Sequence, residues 1–330
     1  MKSITKVLLS ILFIGLIITL PSSGAAQDPS SYTLGNVGAI RYTLLAYERP
    51  DIPSDPYGAW RTKDARIDLW KELWNENGLS NRIVKIGTSV LGNDILVFDC
   101  GEITAKSMLM DMELHGNEDH PGEVILMFAH WLLESGDSTA QRILQNNRLL
   151  FVPSVDFDRF ERVNARSGGG VNLNRNFVSG WGSSGDNTPG SDDYRGPSAA
   201  SEPETQAMRN AFSTFKPRIY VNFHVGAFMA HGSGNSTLGN AILNAAPSFK
   251  SYFGASASGG SGGGGYAVSD AVSLSSGCCA WLIEFFGASS SDPHGNGWRH
   301  TSAHLDELEN DYYPVIKEFI IASCSLIEGP

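Results

Sequence analysis

His115-Gly116-Asn117-Glu118 sets an imidazole and a carboxylate three residues apart. These are the donor types that hold Zn²⁺ at about 2.0–2.2 Å. Two ligands on one tight turn need a third from elsewhere. His224, at the end of the strand-like run Ile219-Tyr220-Val221-Asn222-Phe223, is the candidate. The pair alone is a short signal: the chain has eight histidines and carries its own near-copy in His120-Pro121-Gly122-Glu123. The cysteines, Cys100, Cys278, Cys279 and Cys324, contain no Cys-x-x-Cys spacing, so a thiolate zinc site is disfavoured. Ser154, Ser269 and Ser273 lie in no nucleophile-elbow motif, which argues against serine hydrolysis.

These side chains need a scaffold, and the apolar periodicity supplies one. Ile67, Trp70, Leu73 and Trp74 share a helical face, as do Val124, Ile125, Phe128, Trp131 and Leu132 behind Pro121, a residue well suited to a first helical turn. Strands are expected at 83–86, 94–100, 107–114, 149–155, 218–224 and 281–286, with helices at 202–215 and from Leu305 through Ile320. Alternating strands and helices predict an α/β fold: one domain with a central mixed or parallel twisted sheet flanked by helices. In such folds ligands gather at the carboxyl ends of strands. His115, His224 and Glu284 all fall at or near expected strand ends.

Composition limits the function classes. Of 330 residues 42% are hydrophobic, enough for a large core, and 35 acidic residues against 24 basic ones give a net charge of −11. An acidic surface repels phosphate backbones, so no nucleic-acid partner is expected. Lys2 and Lys6, the apolar run Val7–Leu20 and the small residues up to Ala26 describe a signal peptide over 1–26, leaving 27–330 as a single domain. That run is short for a bilayer span of roughly 20 residues, and no other candidate span follows. Export would expose the four cysteines to oxidation; the pairing is open, with one bridge or none expected in a domain of this size.

Beyond the His-x-x-Glu pair, Val171-Asn172-Leu173-Asn174-Arg175-Asn176-Phe177 resembles the substrate-clamp motif of the zinc carboxypeptidases of the A/B and N/E types. Ile86-Gly87-Thr88-Ser89, Tyr194-Arg195-Gly196-Pro197 with Ser201-Glu202-Pro203-Glu204-Thr205, and Leu282-Ile283-Glu284 are similar to other segments of that family, in the same order. The resemblance runs from about residue 55 to the C-terminus. It implies a metallocarboxypeptidase-like fold and one Zn²⁺ per chain, held by His115, Glu118 and His224. It implies Glu284 as general base, and Asn174 and Arg175 as holders of a substrate carboxylate. Arg162 is implied as the oxyanion-stabilising arginine, since Arg162-Val163-Asn164-Ala165 matches an Arg-x-Asn-Ala stretch of the N/E type, whereas Arg159 and Arg166 do not.

Departures are visible too. Asn172 stands where the clamp motif commonly has an aspartate that accepts a hydrogen bond from the first zinc histidine. The substrate-contacting tyrosine is either Tyr252 or Tyr266, and the specificity pocket is expected on a glycine-rich loop over 256–272. The function implied is a secreted or extracytoplasmic hydrolase acting on the C-terminal bond of peptides and proteins. It is expected to be a monomer, with no membrane contact beyond the signal peptide. Two alternatives use the same site: a peptidoglycan-peptide carboxypeptidase or a small-molecule deacylase. A third, a non-catalytic peptide- or carboxylate-binding protein, draws on Asn172 alone.

Overall fold

Trp70 and Trp74, one turn apart on helix α1 (Lys63–Glu76), are fully buried, and the Trp74 indole N–H donates to the Asp99 carbonyl (2.9 Å). This ties the first helix of the computed structural model, which describes residues 63–158, 170–260, 264–287 and 306–328, to the sheet behind it. The expected signal peptide and Arg159, Arg162 and Arg166 lie outside the described residues.

Seven strands follow: β1 (Ile83–Thr88), β2 (Asp94–Gly101), β3 (Ser107–Asp111), β4 (Arg148–Val152), β5 (Ile219–Gly234), β6 (Ser256–Ala257) and β7 (Cys279–Gly287). Their order is β1-β2-β4-β3-β5-β6, with β7 also on β5. The β1–β2 and β2–β4 pairs are antiparallel, while β3 lies parallel to both β4 and β5. The sheet is mixed, as expected. Between the strands run α2 (His120–Glu134), α3 (Ser138–Asn146), α4 (Pro203–Phe215), α5 (Ser236–Ala245), α6 (Pro247–Phe253) and α7 (Ala267–Leu274). A π turn (Leu308–Tyr312) leads into α8 (Tyr313–Ile327). No described helix is long and apolar enough to cross a membrane.

Side chains on a strand alternate between faces, and the two cores obey that parity. Met108 and Met110, Leu149 and Phe151, Ile219, Val221 and Phe223, and Trp281, Ile283 and Phe285 pack with α1, α2 and α8. Leu109, Leu150, Tyr220, Ala280 and Leu282 face the other way, against Met208 and Phe212 of α4 and Ala271 of α7. Continuing that second face toward the strand ends, the same parity replaces apolar residues with Asp111 on β3, Asn222 and His224 on β5, and Glu284 on β7. Asp111 pairs in register with Asn222, and His224 with Glu284.

Several expectations shift. The strands expected over 107–114 and 149–155 end at Asp111 and Val152. Beyond them the Glu113 carbonyl accepts the N–H groups of Val155 and Asp156, which turns the chain off the sheet. The strand expected to end at His224 runs on to Gly234, and its partners on β7 rise to Gly287, opposite Gly226 and Ala227, and then run back from Met229↔Glu284 to Gly234↔Cys279. The chain therefore reverses just after His224, through positive φ at Gly226 (137°) and Phe228 (45°). An aromatic side chain in the left-handed region is costly; Phe228 is held there by contacts with Tyr252, Phe253 and Tyr312. The expected glycine-rich loop over 256–272 contains β6 and the first part of α7. The four cysteines are buried and unbridged.

The Ile86-Gly87-Thr88-Ser89 segment shows why its residues are what they are. A Cβ on Gly87 would lie 2.5 Å from the Ala207 Cβ, so β1 approaches α4 only with glycine there. The following loop is tied down by buried carboxylates. Asp158 accepts from Ser89 Oγ (2.5 Å), Leu91 N (2.8 Å) and Asn93 Nδ2 (2.9 Å), and Glu204 accepts from Val90 N (2.9 Å). Burial, with the charges of Asp156 and Asp158 nearby, pushes Glu204 up to about 7. Its folded pKa thus exceeds the unfolded one, so its ionisation opposes folding as pH rises toward 7, and the penalty is complete above that. Glu204→Gln keeps the acceptor for Val90 and removes the charge. In denaturant titrations the variant should be more stable than the parent by about 1–3 kcal/mol at pH 8, with no advantage at pH 4.

Candidate metal centre

Past Asp111 the chain folds into a turn that carries both members of the His-x-x-Glu pair before α2 begins. The Glu118 N–H closes on the His115 carbonyl (2.9 Å). Arg66, 2% exposed, braces this turn from α1: its Nη2 lies 2.7 Å from Glu113, and its Nη1 3.4 Å from Glu123 and 3.6 Å from Asp119. This single buried guanidinium ties α1 to three carboxylates of the turn and the start of α2, and its loss would take their shared cation out of the interior.

The Glu118 carboxylate is shared. Oε1 lies 2.9 Å from His115 Nδ1, and Oε2 lies 2.7 Å from His224 Nδ1 while also accepting the Val225 N–H (3.2 Å). The two rings stand 4.8 Å apart, nearly edge to face. All three residues are buried, and one ligand atom from each falls within 4.8 Å of the others. Each outer ring nitrogen meets an amide oxygen: His115 Nε2 to Asn172 Oδ1 (2.9 Å) and His224 Nε2 to Asn222 Oδ1 (2.7 Å). An amide oxygen only accepts, so both Nε2 atoms carry protons and both Nδ1 atoms face Glu118. Two Nδ1 donors and a carboxylate converging on one point, each imidazole held from behind, suit a tetrahedral cation with one open position.

Electrostatics fit the same picture. Burial opposes the charge on Glu118, yet the two imidazoles hold its carboxyl well below the usual range. Burial would lower His224, but the neighbouring Glu118 carboxylate outweighs it and the ring rises to about 9. Glu284, opposite His224 across the strand pair, is pushed up by burial; the His224 charge, an N–H bond from Ala227 and the charge of Arg175 pull the other way.

Asn174 and Arg175 sit on a short 3₁₀ turn (Leu173–Arg175) opened by Asn172, whose Oδ1 also accepts the Asn174 N–H (3.0 Å). Asn174 lies over the cluster: Nδ2 is 3.3 Å from His224 Nε2, and Oδ1 accepts the Ala267 N–H (3.0 Å). The Arg175 guanidinium donates to the Asn174 carbonyl (2.9 Å), pairs with Asp193 (3.1 Å) and lies 5.0 Å from the Tyr266 ring centre. Tyr266 Oη is also 3.1 Å from Ser184 Oγ. Tyr252 instead packs in the aromatic cluster with Phe253 and Tyr312, so Tyr266 is the tyrosine beside the clamp.

The structure therefore gathers His115, Glu118, His224, Glu284, Asn174 and Arg175 at one end of the sheet. Arg162 falls outside the described residues. Sequence reasoning named Asn172 but passed over Asn222, Asp111 and Asp193. The period of two back from His224 reaches Asn222, and its register partner is Asp111.

A family model described as zinc carboxypeptidase matches residues 67–238, more than half of the chain. The stretch contains His115, Glu118, Asn174, Arg175 and His224. The chain belongs to the zinc carboxypeptidase family. Among its relatives are carboxypeptidase SOL1 from Arabidopsis thaliana (26% identical over 201 residues, 59% of this chain and 39% of that protein) and bovine carboxypeptidase B (28% over 213 residues, 56% and 47%). The matches thus span less than half the length of these relatives. The fold is also that of the crystal structure of carboxypeptidase A from Helicoverpa armigera, with a TM-score of 0.66 at 18% identity, covering 80% of this chain and 74% of that one.

A cation entering the cluster must displace the proton on His224 Nδ1. The His115 Nδ1 faces the same acceptor-only carboxylate, so zinc uptake at pH 7 should release between one and two protons per ion. Apparent affinity should rise with pH and level off near 9. Calorimetric titration of the metal-free protein in buffers of differing ionisation enthalpy reads both.

Proposed function

We propose that this protein is an exported zinc metallocarboxypeptidase that removes residues from the free C-termini of peptides, with Zn²⁺ on His115, Glu118 and His224. The observation that carries this is the company of Glu284 and Arg175 beside the paired imidazoles: a carboxylate with a raised pKa in register with His224, and a guanidinium close enough for its charge to act on that carboxylate. Zinc, when bound in such a three-ligand site, acts as a Lewis acid and lowers the pKa of water toward about 7.

The chain's own groups do the rest. Arg175 offers a planar fork matched to a carboxylate, and Asn174 adds an amide donor beside it. Binding a chain end loosens the Arg175–Asp193 pair. That costs little, because Asp193 is half exposed and its pairing is screened. Demanding a terminal carboxylate at this position makes the enzyme an exopeptidase. Glu284, buried and held by the Ala227 N–H, accepts a proton from the attacking water and delivers it to the departing amine. Arg162 is assigned to the developing oxyanion. Export rests on the N-terminal segment 1–26, with the enzyme acting as a monomer outside the cytoplasm.

The test compares release of the last residue from peptides with free and amidated C-termini, with and without a chelator. Only the free acid should be cut, and chelation should stop the reaction. Glu284→Gln should lose about 10²–10⁴ in kcat while retaining zinc. Because Glu284 works as a base only when ionised and its pKa is raised, kcat/KM should fall on the acid side at a pH above the range of an ordinary glutamate. A fully active Glu284→Gln enzyme, or equal cleavage of amidated peptides, contradicts the proposal.

A further inference from the structure

Two amides compete for one nitrogen of His224. Asn222 Oδ1 sits 2.7 Å from Nε2 and needs a proton there; Asn174 Nδ2 sits 3.3 Å from the same atom and would donate to it if it were bare. The two arrangements call for opposite tautomers. With a proton on Nε2, displacing the second proton of the imidazolium frees the Nδ1 lone pair for a cation beside Glu118. With Nε2 bare, the proton moves to Nδ1 and blocks that position.

The choice is made one residue further back. Asp111, fully buried, accepts Asn222 Nδ2 on Oδ1 (2.7 Å) and the Tyr220 hydroxyl on Oδ2 (2.6 Å), and also takes the Phe223 N–H. Burial pushes its carboxyl up to about 6 against the pull of these three donors, so at pH 7 it is ionised and has no proton to give. It therefore compels the NH₂ end of Asn222 to face it and the carbonyl end to face His224. The parallel pairing of β3 with β5 sets this up, because Asp111 and Asn222 are register partners and Tyr220, Asn222 and His224 follow one another on the same face. The second imidazole has a counterpart: Asn172 Nδ2 donates to the Asp192 carbonyl (3.1 Å), again acceptor-only, which leaves Asn172 Oδ1 for His115.

We infer that Asp111 is a positioning residue which, through Asn222, locks His224 in the Nε2–H tautomer against the competing amide of Asn174, and so holds Nδ1 ready for the metal. This goes beyond the assignment of His224 as a ligand and rests on that reading. Tyr220 supports Asp111 but does not set the direction of the chain, so it serves as the contrast.

The experiment has two readouts that do not depend on turnover. In the zinc-loaded wild-type protein, long-range ¹H–¹⁵N spectra should show His224 protonated on Nε2; a proton on Nδ1 overturns the inference without any variant. Competition with a chromogenic chelator then gives zinc affinities. Asp111→Asn, whose amide can donate to a flipped Asn222, should bind zinc about 10–100-fold more weakly. Tyr220→Phe, with the direction intact, should stay within about threefold of the parent. Folding of each variant is checked by circular dichroism, and if Asp111→Asn does not fold, the tautomer in the wild-type spectrum decides. Equal losses in Asp111→Asn and Tyr220→Phe would mean simple loosening of a buried network, and unchanged affinity in Asp111→Asn would mean no lock; either result overturns the inference. A wild-type chain that binds no zinc removes the metal reading itself, and the inference with it.

Discussion

One carboxylate between two imidazoles is the constraint on which this structure depends. Burying Glu118, His115 and His224 costs several kcal/mol per charge unless they share it. The geometry makes them share it, at 2.9 and 2.7 Å. Separating either imidazole would take a charged partner from one oxygen of a buried carboxylate. The turn after β3, its brace from Arg66, and the asparagines behind each ring all serve to keep that contact.

The sheet explains how such distant residues meet. Parity places Asp111, Asn222, His224 and Glu284 on one face as continuations of an apolar row, and the C-terminal ends of parallel strands bring them level. The reversal at Gly226 and Phe228 folds the second half of β5 back along β7, so Ala227 is placed to donate to Glu284. Positioning is thus largely a backbone property. The departure at Asn172 matters less than a missing charge suggests, because its amide still accepts from His115 and is itself oriented by a carbonyl.

Much of this was legible beforehand, and the limits follow physical lines. His115, Glu118, His224, Asn174, Arg175 and Glu284 stood out because chemistry restricts their types and the family resemblance supplied their order. The helices around Trp70 and Phe128 were readable from a clean 3.6-residue period. Asn222 passed unremarked because a polar residue in an otherwise apolar strand has no local partner; only β3 supplies one. Phe228 carried no sign of a left-handed turn, since bulky residues seldom adopt it. Choosing between Tyr252 and Tyr266 needed the packing of Phe253 and Tyr312, which no local pattern reveals. Helix α7 was hidden by the glycines that precede it.

The most direct measurement is a crystal structure of the zinc-soaked protein with data collected on both sides of the zinc absorption edge. The account predicts one anomalous peak about 2.0–2.2 Å from Nδ1 of His115, Nδ1 of His224 and a carboxylate oxygen of Glu118. A peak coordinated through either Nε2, or one at other side chains with Glu118 still bridging the two rings, would contradict it.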